Sequence, residues 1–184
     1  NNFNYVINLA ARAHIRKKLS FREDNFIKRL SNVERNLVNS FDTKRVKVIQ
    51  LSSAKVKLNK NNSFITDSEL IYTKAKLASE KIIKNNFKKY IILRPPLIYG
   101  PNVKANFLSL MQTIDKRIPL PFNNIENSRS YLFVGNLVDL ILKIIREDKF
   151  LNKHYYVSDG GYVSTKYLTN LIAKNLSKKP LYFS

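Results

Sequence analysis

A phenol and an ammonium four residues apart, Tyr72 and Lys76, are the groups in this chain best placed to do chemistry. Two hydroxyls lie upstream of them, at Ser52 and Ser53. The segment from Ser68 to Ile83 holds neither Gly nor Pro and is rich in helix formers, so it reads as a helix. Helical residues four apart share a face, which sets Tyr72 beside Lys76. An adjacent ammonium favours the phenolate and lowers the tyrosine pKa towards working pH, the condition for a general base. A base, a cation and a hydrogen-bonding hydroxyl are what a redox step at a carbinol carbon needs. The same spacing also describes a half-buried tyrosine next to a solvated lysine, so the surroundings must decide.

Those surroundings begin with strands. The run Val46-Lys47-Val48-Ile49-Gln50-Leu51 reads as a buried strand, and Ser52-Ser53 end it. Its hydroxyls therefore sit at a strand's carboxyl end, the edge where open α/β sheets bind ligands. Residues 5 to 11 form a second apolar run, typical of a strand covered on both faces. From Phe21 to Phe41 the spacing of Phe26, Leu30, Val33 and Leu37 predicts a helix. A polar loop from Leu58 to Asp67 leads into the Tyr72 helix. Lys89 to Leu93 reads as a strand, stopped by Pro95-Pro96. A short strand at Tyr131 to Val134, a helix at 137–145, a strand at 154–157 and a helix from Ser164, its cap, to Leu176 complete the pattern. Strands alternating with helices predict a parallel sheet in an α/β fold.

The bulk composition narrows the function. No Cys is present, which excludes a disulfide framework, a thiolate metal site and a cysteine nucleophile; with only His14 and His154 as imidazoles, no zinc site is expected either. No apolar run is long enough to span a bilayer and the amino end is not a signal peptide, so a cytoplasmic protein is expected. The net charge is +20, from 33 basic and 13 acidic residues. The excess is spread along the chain and dominated by Lys, without a nucleic-acid-binding motif, so nucleic acid is not the expected partner. Such a surface would instead steer an anionic nucleotide. Only Gly100, Gly135, Gly160 and Gly161 supply glycine. The tight first turn of a dinucleotide-binding unit needs glycines near the start, and residues 1–99 hold none. With Met111 as the only methionine, the chain is expected to be a piece of a longer protein.

Five stretches in order then resemble one family: Val6 to His14; Leu51-Ser52-Ser53-Ala54-Lys55-Val56; Tyr72 to Glu80; Arg94-Pro95-Pro96-Leu97-Ile98-Tyr99-Gly100-Pro101; and Asn127-Ser128-Arg129-Ser130 through Asn136-Leu137-Val138-Asp139. The tail Val157-Ser158-Asp159-Gly160 fits too. The chain resembles the extended short-chain dehydrogenase/reductases, the NAD-dependent sugar-nucleotide epimerase/dehydratase family, and within it a UDP-glucose 4-epimerase-like branch of bacterial polysaccharide synthesis. The resemblance implies a Rossmann-like doubly wound parallel sheet. Residues 1–100 would be the later part of a dinucleotide-binding domain, and 101–184 mainly a substrate-binding region, partly interleaved with it.

The resemblance also implies roles. Tyr72 would take the proton of a sugar 4-hydroxyl while hydride passes to NAD, with NADP not excluded. Lys76 would lower the Tyr72 pKa and hold the nicotinamide ribose. Ser53 would hydrogen-bond the reacting oxygen, with Ser52 as its alternative and as a cofactor contact. Ala10 and Ala11 would pass close under the cofactor, and Tyr99 would flank the nicotinamide. Asn106 and Arg129 would meet the diphosphate of a nucleotide sugar, UDP-linked in this branch, where a planar guanidinium suits bidentate contact. Asn106 reads equally as a helix cap, and Arg94 as a structural ion-pair partner. Asn8 stands where relatives often carry His. A homodimer is the assembly the family allows. Ser53-Ala54, in place of Thr-Asp-Glu, argues against a 4,6-dehydratase and leaves a 4-epimerase or a 4-ketosugar reductase. The rival expectation is a non-catalytic remnant or binding module lacking the cofactor loop.

Overall fold

In the computed structural model, which describes residues 3–10, 27–28, 31–57, 66–103 and 106–183, the elements alternate as the pattern predicts. They run β1 (Tyr5–Asn8), α1 (Asn32–Ser40), β2 (Lys47–Leu51), a 3-10 turn (Ala54–Lys57), α2 (Asp67–Asn86), β3 (Lys89–Arg94), β4 (Leu97–Tyr99), α3 (Asn106–Asp115), β5 (Tyr131–Phe133), α4 (Val134–Arg146), β6 (Lys153–Tyr156) and α5 (Thr165–Asn175). Two compact units form: Asn1–Pro96 with Asp139–Val157, and Leu97–Val138 with Ser158–Ser184.

The first unit holds a four-stranded parallel sheet in the order β1-β2-β3-β6. Interior strands of a parallel sheet are covered on both faces and so read as continuous apolar runs. Val48, Ile49 and Gln50 of β2 and Ile91 to Arg94 of β3 are buried accordingly. Gln50 and Arg94 are the exceptions by chemistry, Gln50 being a fully buried carboxamide in an aliphatic strand. Val48, Ile83 of α2 and Phe87 form the core under the sheet, joined by Val6, Leu37, Val38 and Tyr90.

Helix α2 begins earlier than the run of helix formers suggests. Thr66 caps it: its hydroxyl accepts from the Glu69 amide at 3.3 Å, and the Glu69 carboxylate accepts from the Thr66 amide at 3.3 Å. That reciprocal capping box is legible as Thr-x-x-Glu in the sequence and fixes where the Tyr72 face points. Strand β1 stops at Asn8, sooner than the apolar run to residue 11, because the Asn8 side chain turns back to accept from the Ala10 amide at 3.1 Å.

In the second unit β4 pairs in parallel with β5, and Ile114, Leu120 and Ala173 make a separate core with Leu110, Phe122 and Tyr182. Neither β4 nor α3 is in the sequence expectation. Pro95-Pro96 masks the former as a stop, whereas Phe107, Leu110, Met111 and Ile114 spell out the latter at helical spacing. Ser164 caps α5 as expected, accepting from the Tyr167 amide at 3.0 Å. Gly100 follows β4 at φ +152°, and a Cβ there would meet Val134 Cγ1 at 2.5 Å, so only glycine allows the chain to leave Tyr99 this closely packed.

Candidate active site

The carboxyl edge of β2 gathers the expected residues of the first unit. The Ser52 amide bonds the Leu93 carbonyl at 2.7 Å and the Ala54 amide bonds the Pro95 carbonyl at 2.8 Å, which stitches the serine loop to the exit of β3. Thr73 of α2 donates to the Lys55 carbonyl at 3.1 Å and brings the helix against the same loop. The Ser53 hydroxyl oxygen accepts from the Lys55 amide at 3.2 Å, leaving its own proton to give. The Tyr72 phenol lies within reach of that hydroxyl, which favours its phenolate form. The Ser53 hydroxyl and the Tyr72 phenol are thus brought to one place by the contacts around the 3-10 turn.

Ser52 is a different case. It is buried, and its hydroxyl donates to Glu80 Oε1 at 2.7 Å. Glu80 in turn receives Arg94 Nε at 2.8 Å on Oε1 and Arg94 Nη2 at 2.6 Å on Oε2, a bidentate pair, with Lys84 at 3.4 Å. Arg94 also donates to the Tyr156 hydroxyl at 2.9 Å. The Ser52 side chain therefore serves the buried ion pair, and the structure leaves Ser53 as the hydroxyl beside the phenol. Arg94 is the ion-pair partner the sequence suggested. Glu80, eight residues beyond Tyr72 on the same helical face, is the partner sequence reasoning missed.

Burial and a neighbouring hydroxyl act on the phenol. Burial pushes the Tyr72 pKa up, and the Ser53 hydroxyl pulls against it. The Lys76 ammonium donates to the Leu51 carbonyl at 3.3 Å. Burial lowers the Lys76 pKa, while Glu34 and, after it, Glu80 raise it. Sharing a helical face brings two side chains near each other, but a long lysine takes the best acceptor within reach, here a strand-end carbonyl.

Ala10 lies exposed just beyond β1. Ala11 and His14 lie outside the described residues, as does the side chain of Asn106, whose helix α3 starts at that residue. Tyr99 and Arg129 belong to the second unit. Tyr99 stacks on Phe107 at 5.8 Å and donates to Asp159 Oδ2 at 3.2 Å. Asp159 also accepts from the Phe133 amide at 2.9 Å and from Asn136 at 2.7 Å. Those bonds, with the Asn136 amide foremost, hold its pKa below the usual carboxylate value against the effect of burial. A cavity of about 260 Å³ opens among Tyr99, Phe107, Tyr131, Asp159 and Tyr167. Arg129 is exposed, with its backbone paired to Val163, and has no carboxylate partner among the described residues. Its charge is felt by the Tyr131 phenol.

A Rossmann-like parallel sheet with a Ser-Tyr pair and a lysine at its carboxyl edge is the arrangement of the short-chain dehydrogenase/reductases. The chain belongs to the NAD dependent epimerase/dehydratase family, whose model matches residues 1–158. It is 33% identical over 195 residues to a UDP-glucose 4-epimerase of Vibrio cholerae, a match that takes in 96% of this chain and 58% of that protein. The chain thus spans a little over half the length of that relative. The fold is shared with a UDP-glucuronic acid 4-epimerase from Bacillus cereus in complex with NAD, at a TM-score of 0.78, 17% identity, and coverage of 100% of this chain and 64% of that one. RMD from Pseudomonas aeruginosa complexed with NADPH gives 0.77 at 17% identity, covering 98% and 69%. No helix among the described residues is long and apolar enough to cross a membrane.

Proposed function

We propose that the whole protein is an NAD(P)-dependent sugar-nucleotide 4-epimerase or 4-ketosugar reductase acting at C4 of a UDP-linked sugar. The observation that carries this reading is the Ser53 hydroxyl beside the Tyr72 phenol, one helical turn from Lys76, at the carboxyl edge of the sheet. The family match supports the class of reaction, and the Vibrio relative supports the nucleotide sugar.

The residues present suit the nicotinamide end of a dinucleotide. The ammonium has three donors, and Lys76 gives one to Leu51. Ala10, exposed and small, adds no bulk against an approaching ring. Residues 1–99 hold no glycine, so a glycine-rich turn for the pyrophosphate is not among them. When bound, the dinucleotide supplies the acceptor and donor of a hydride. Tyr72 takes the proton of the sugar 4-hydroxyl as the C4 hydride departs, which leaves a ketone, and gives the proton back on return. Ser53 donates to the same sugar oxygen, and Lys76 holds positive charge beside the phenolate that accepts the proton. The first unit is then the dinucleotide side of the enzyme and the second the sugar-nucleotide side.

The deciding assay uses the full-length protein. An epimerase converts a UDP-hexose to its C4 epimer with no net change in NADH absorbance. A reductase instead consumes NAD(P)H in proportion to a UDP-4-ketosugar. Neither conversion, with the protein folded and the dinucleotide bound, favours the binding-module reading.

Arg129 is proposed to grip the diphosphate. It is exposed and unengaged by carboxylates among the described residues, on a backbone fixed by its pairing with Val163. A charge-assisted bidentate contact contributes roughly 1.5–3 kcal/mol. Arg129→Ala should raise KM for a UDP-sugar about ten- to a hundredfold with a smaller effect on kcat. Arg129→Lys should recover only part, because a point charge lacks the planar fork. Steady-state kinetics of the three forms checks this, and an unchanged KM in Arg129→Ala removes Arg129 from the site.

A further inference from the structure

Three polar side chains from separate elements meet under the sheet where the sequence alone offers only aliphatic runs. Asn8 of β1 donates to Gln50 Oε1 at 2.8 Å and to Glu34 Oε1 at 3.2 Å. Gln50 of β2 donates to the same Glu34 Oε1 at 3.1 Å. Glu34, on α1, is 2% exposed. Both carboxamides therefore serve one oxygen of its carboxylate. The other, Oε2, is buried and has no hydrogen-bond partner among the described residues. A buried charged oxygen left unmatched is costly, and native structures rarely keep one without a donor nearby.

A donor with capacity to spare sits on the neighbouring helix. Lys76 projects from α2, which packs on α1, and is itself 7% exposed. Its ammonium carries three donors and gives one to the Leu51 carbonyl at 3.3 Å. Of the two carboxylates that favour its charge, Glu34 acts more strongly than Glu80. Glu80 is already engaged by Arg94, Ser52 and Lys84. Tyr72 stands four residues before Lys76 on the same helix, and the Asn8 and Gln50 side chains that hold Glu34 are neutral.

We propose that Glu34 is the positioning counter-charge of Lys76, anchored through Oε1 by Asn8 and Gln50 and turning Oε2 to the ammonium, so that Lys76 stays charged and oriented although buried. This rests on the reading of Lys76 as the cation beside Tyr72, and Glu34 acts through Lys76 without touching substrate. The device links β1, β2 and α1 to the catalytic helix. It also gives Asn8, placed where relatives often carry His, a role in this chain: it supplies an amide donor that a carboxylate needs.

The test is a pH titration by NMR of this chain carrying lysine labelled with carbon-13 at Cε, the Lys76 signal being assigned by its loss in Lys76→Arg. Glu34→Gln should lower the Lys76 titration midpoint by about one pH unit or more, as expected on losing a close opposite charge. Glu34→Asp, which keeps the charge on a shorter stem, should lower it less. Should Glu34→Gln not fold, the wild-type chain still reports: the Glu34 carboxyl carbon should shift at the pH where Lys76 loses its proton, as coupled groups do. An unmoved Lys76 midpoint in a folded Glu34→Gln, or a Glu34 signal blind to the Lys76 titration, overturns the proposal. Either result leaves the Tyr72 assignment standing. Conversely, a full-length enzyme indifferent to Tyr72→Phe would sink the enzymatic reading without touching the coupling.

Discussion

Tyr72→Phe in the full-length protein should lose turnover by a factor of about 10²–10⁴, the usual cost of removing a general base. The change deletes one oxygen and barely alters shape. Ser53 keeps its bond from the Lys55 amide, and Thr73 keeps its bond to the Lys55 carbonyl, so the loop and α2 should stay in place. Sugar-nucleotide affinity should hold, and the loss should fall on kcat. Because burial pushes the Tyr72 pKa up, its base form accumulates on the alkaline side, and the wild-type rate of the hydride-yielding direction should climb with pH. That climb should vanish in the variant. A Tyr72→Phe enzyme keeping more than about a tenth of wild-type kcat would make the assigned role untenable.

The second large effect is on stability. The Glu80 carboxylate and the Arg94 guanidinium form a pair whose side chains are 1% and 8% exposed. Arg94→Met keeps the bulk and removes the charge, leaving Glu80 buried with only Ser52 and Lys84. Breaking a buried pair from one side costs about 3–5 kcal/mol, because the remaining charge stays desolvated. Urea melts followed by circular dichroism measure this. Replacing both residues, Glu80→Leu with Arg94→Met, should recover most of the loss, since no lone charge remains. A single variant within about 1 kcal/mol of wild type would show that the pair is not what holds the exit of β3 to α2.

The same pair sets an acid limit. Burial raises the Glu80 pKa, but the hydrogen bonds from Arg94 and Ser52 and the charges of Arg94 and Lys84 outweigh it, so the net shift is downward from 4.5. A carboxylate with a depressed folded pKa contributes stability that is fully present above its unfolded value and is lost as pH falls through the folded one. The wild-type margin over Arg94→Met should therefore shrink as pH is taken below about 4.5.

What could be read from the sequence is local. The Tyr72–Lys76 helix, the strand ending in Ser52-Ser53 and the cap at Ser164 all rest on periodicity and turn chemistry within a few residues, and each is present. The order of the quoted stretches sufficed for the family, because a family pattern is itself a string. The short β4 escaped because three residues carry no period of their own and are held by pairing with β5.

The site's internal wiring was decided only by the tertiary structure. Successive side chains at a strand's end point to opposite sides. Ser52 and Ser53 are thus interchangeable in the string but not in the fold: one meets Glu80, 28 residues away, and the other meets Tyr72. The helical spacing brought Tyr72 and Lys76 to one face, yet the ammonium went to the Leu51 carbonyl, 25 residues back. Asn8, Glu34 and Gln50 look like unrelated polar interruptions until the sheet sets β1 beside β2 and α1 against them. A hydrogen bond or a buried charge depends on direction and distance within a few ångströms, and chain separation specifies neither. The sequence determined which groups were on offer, and packing determined which of them face one another.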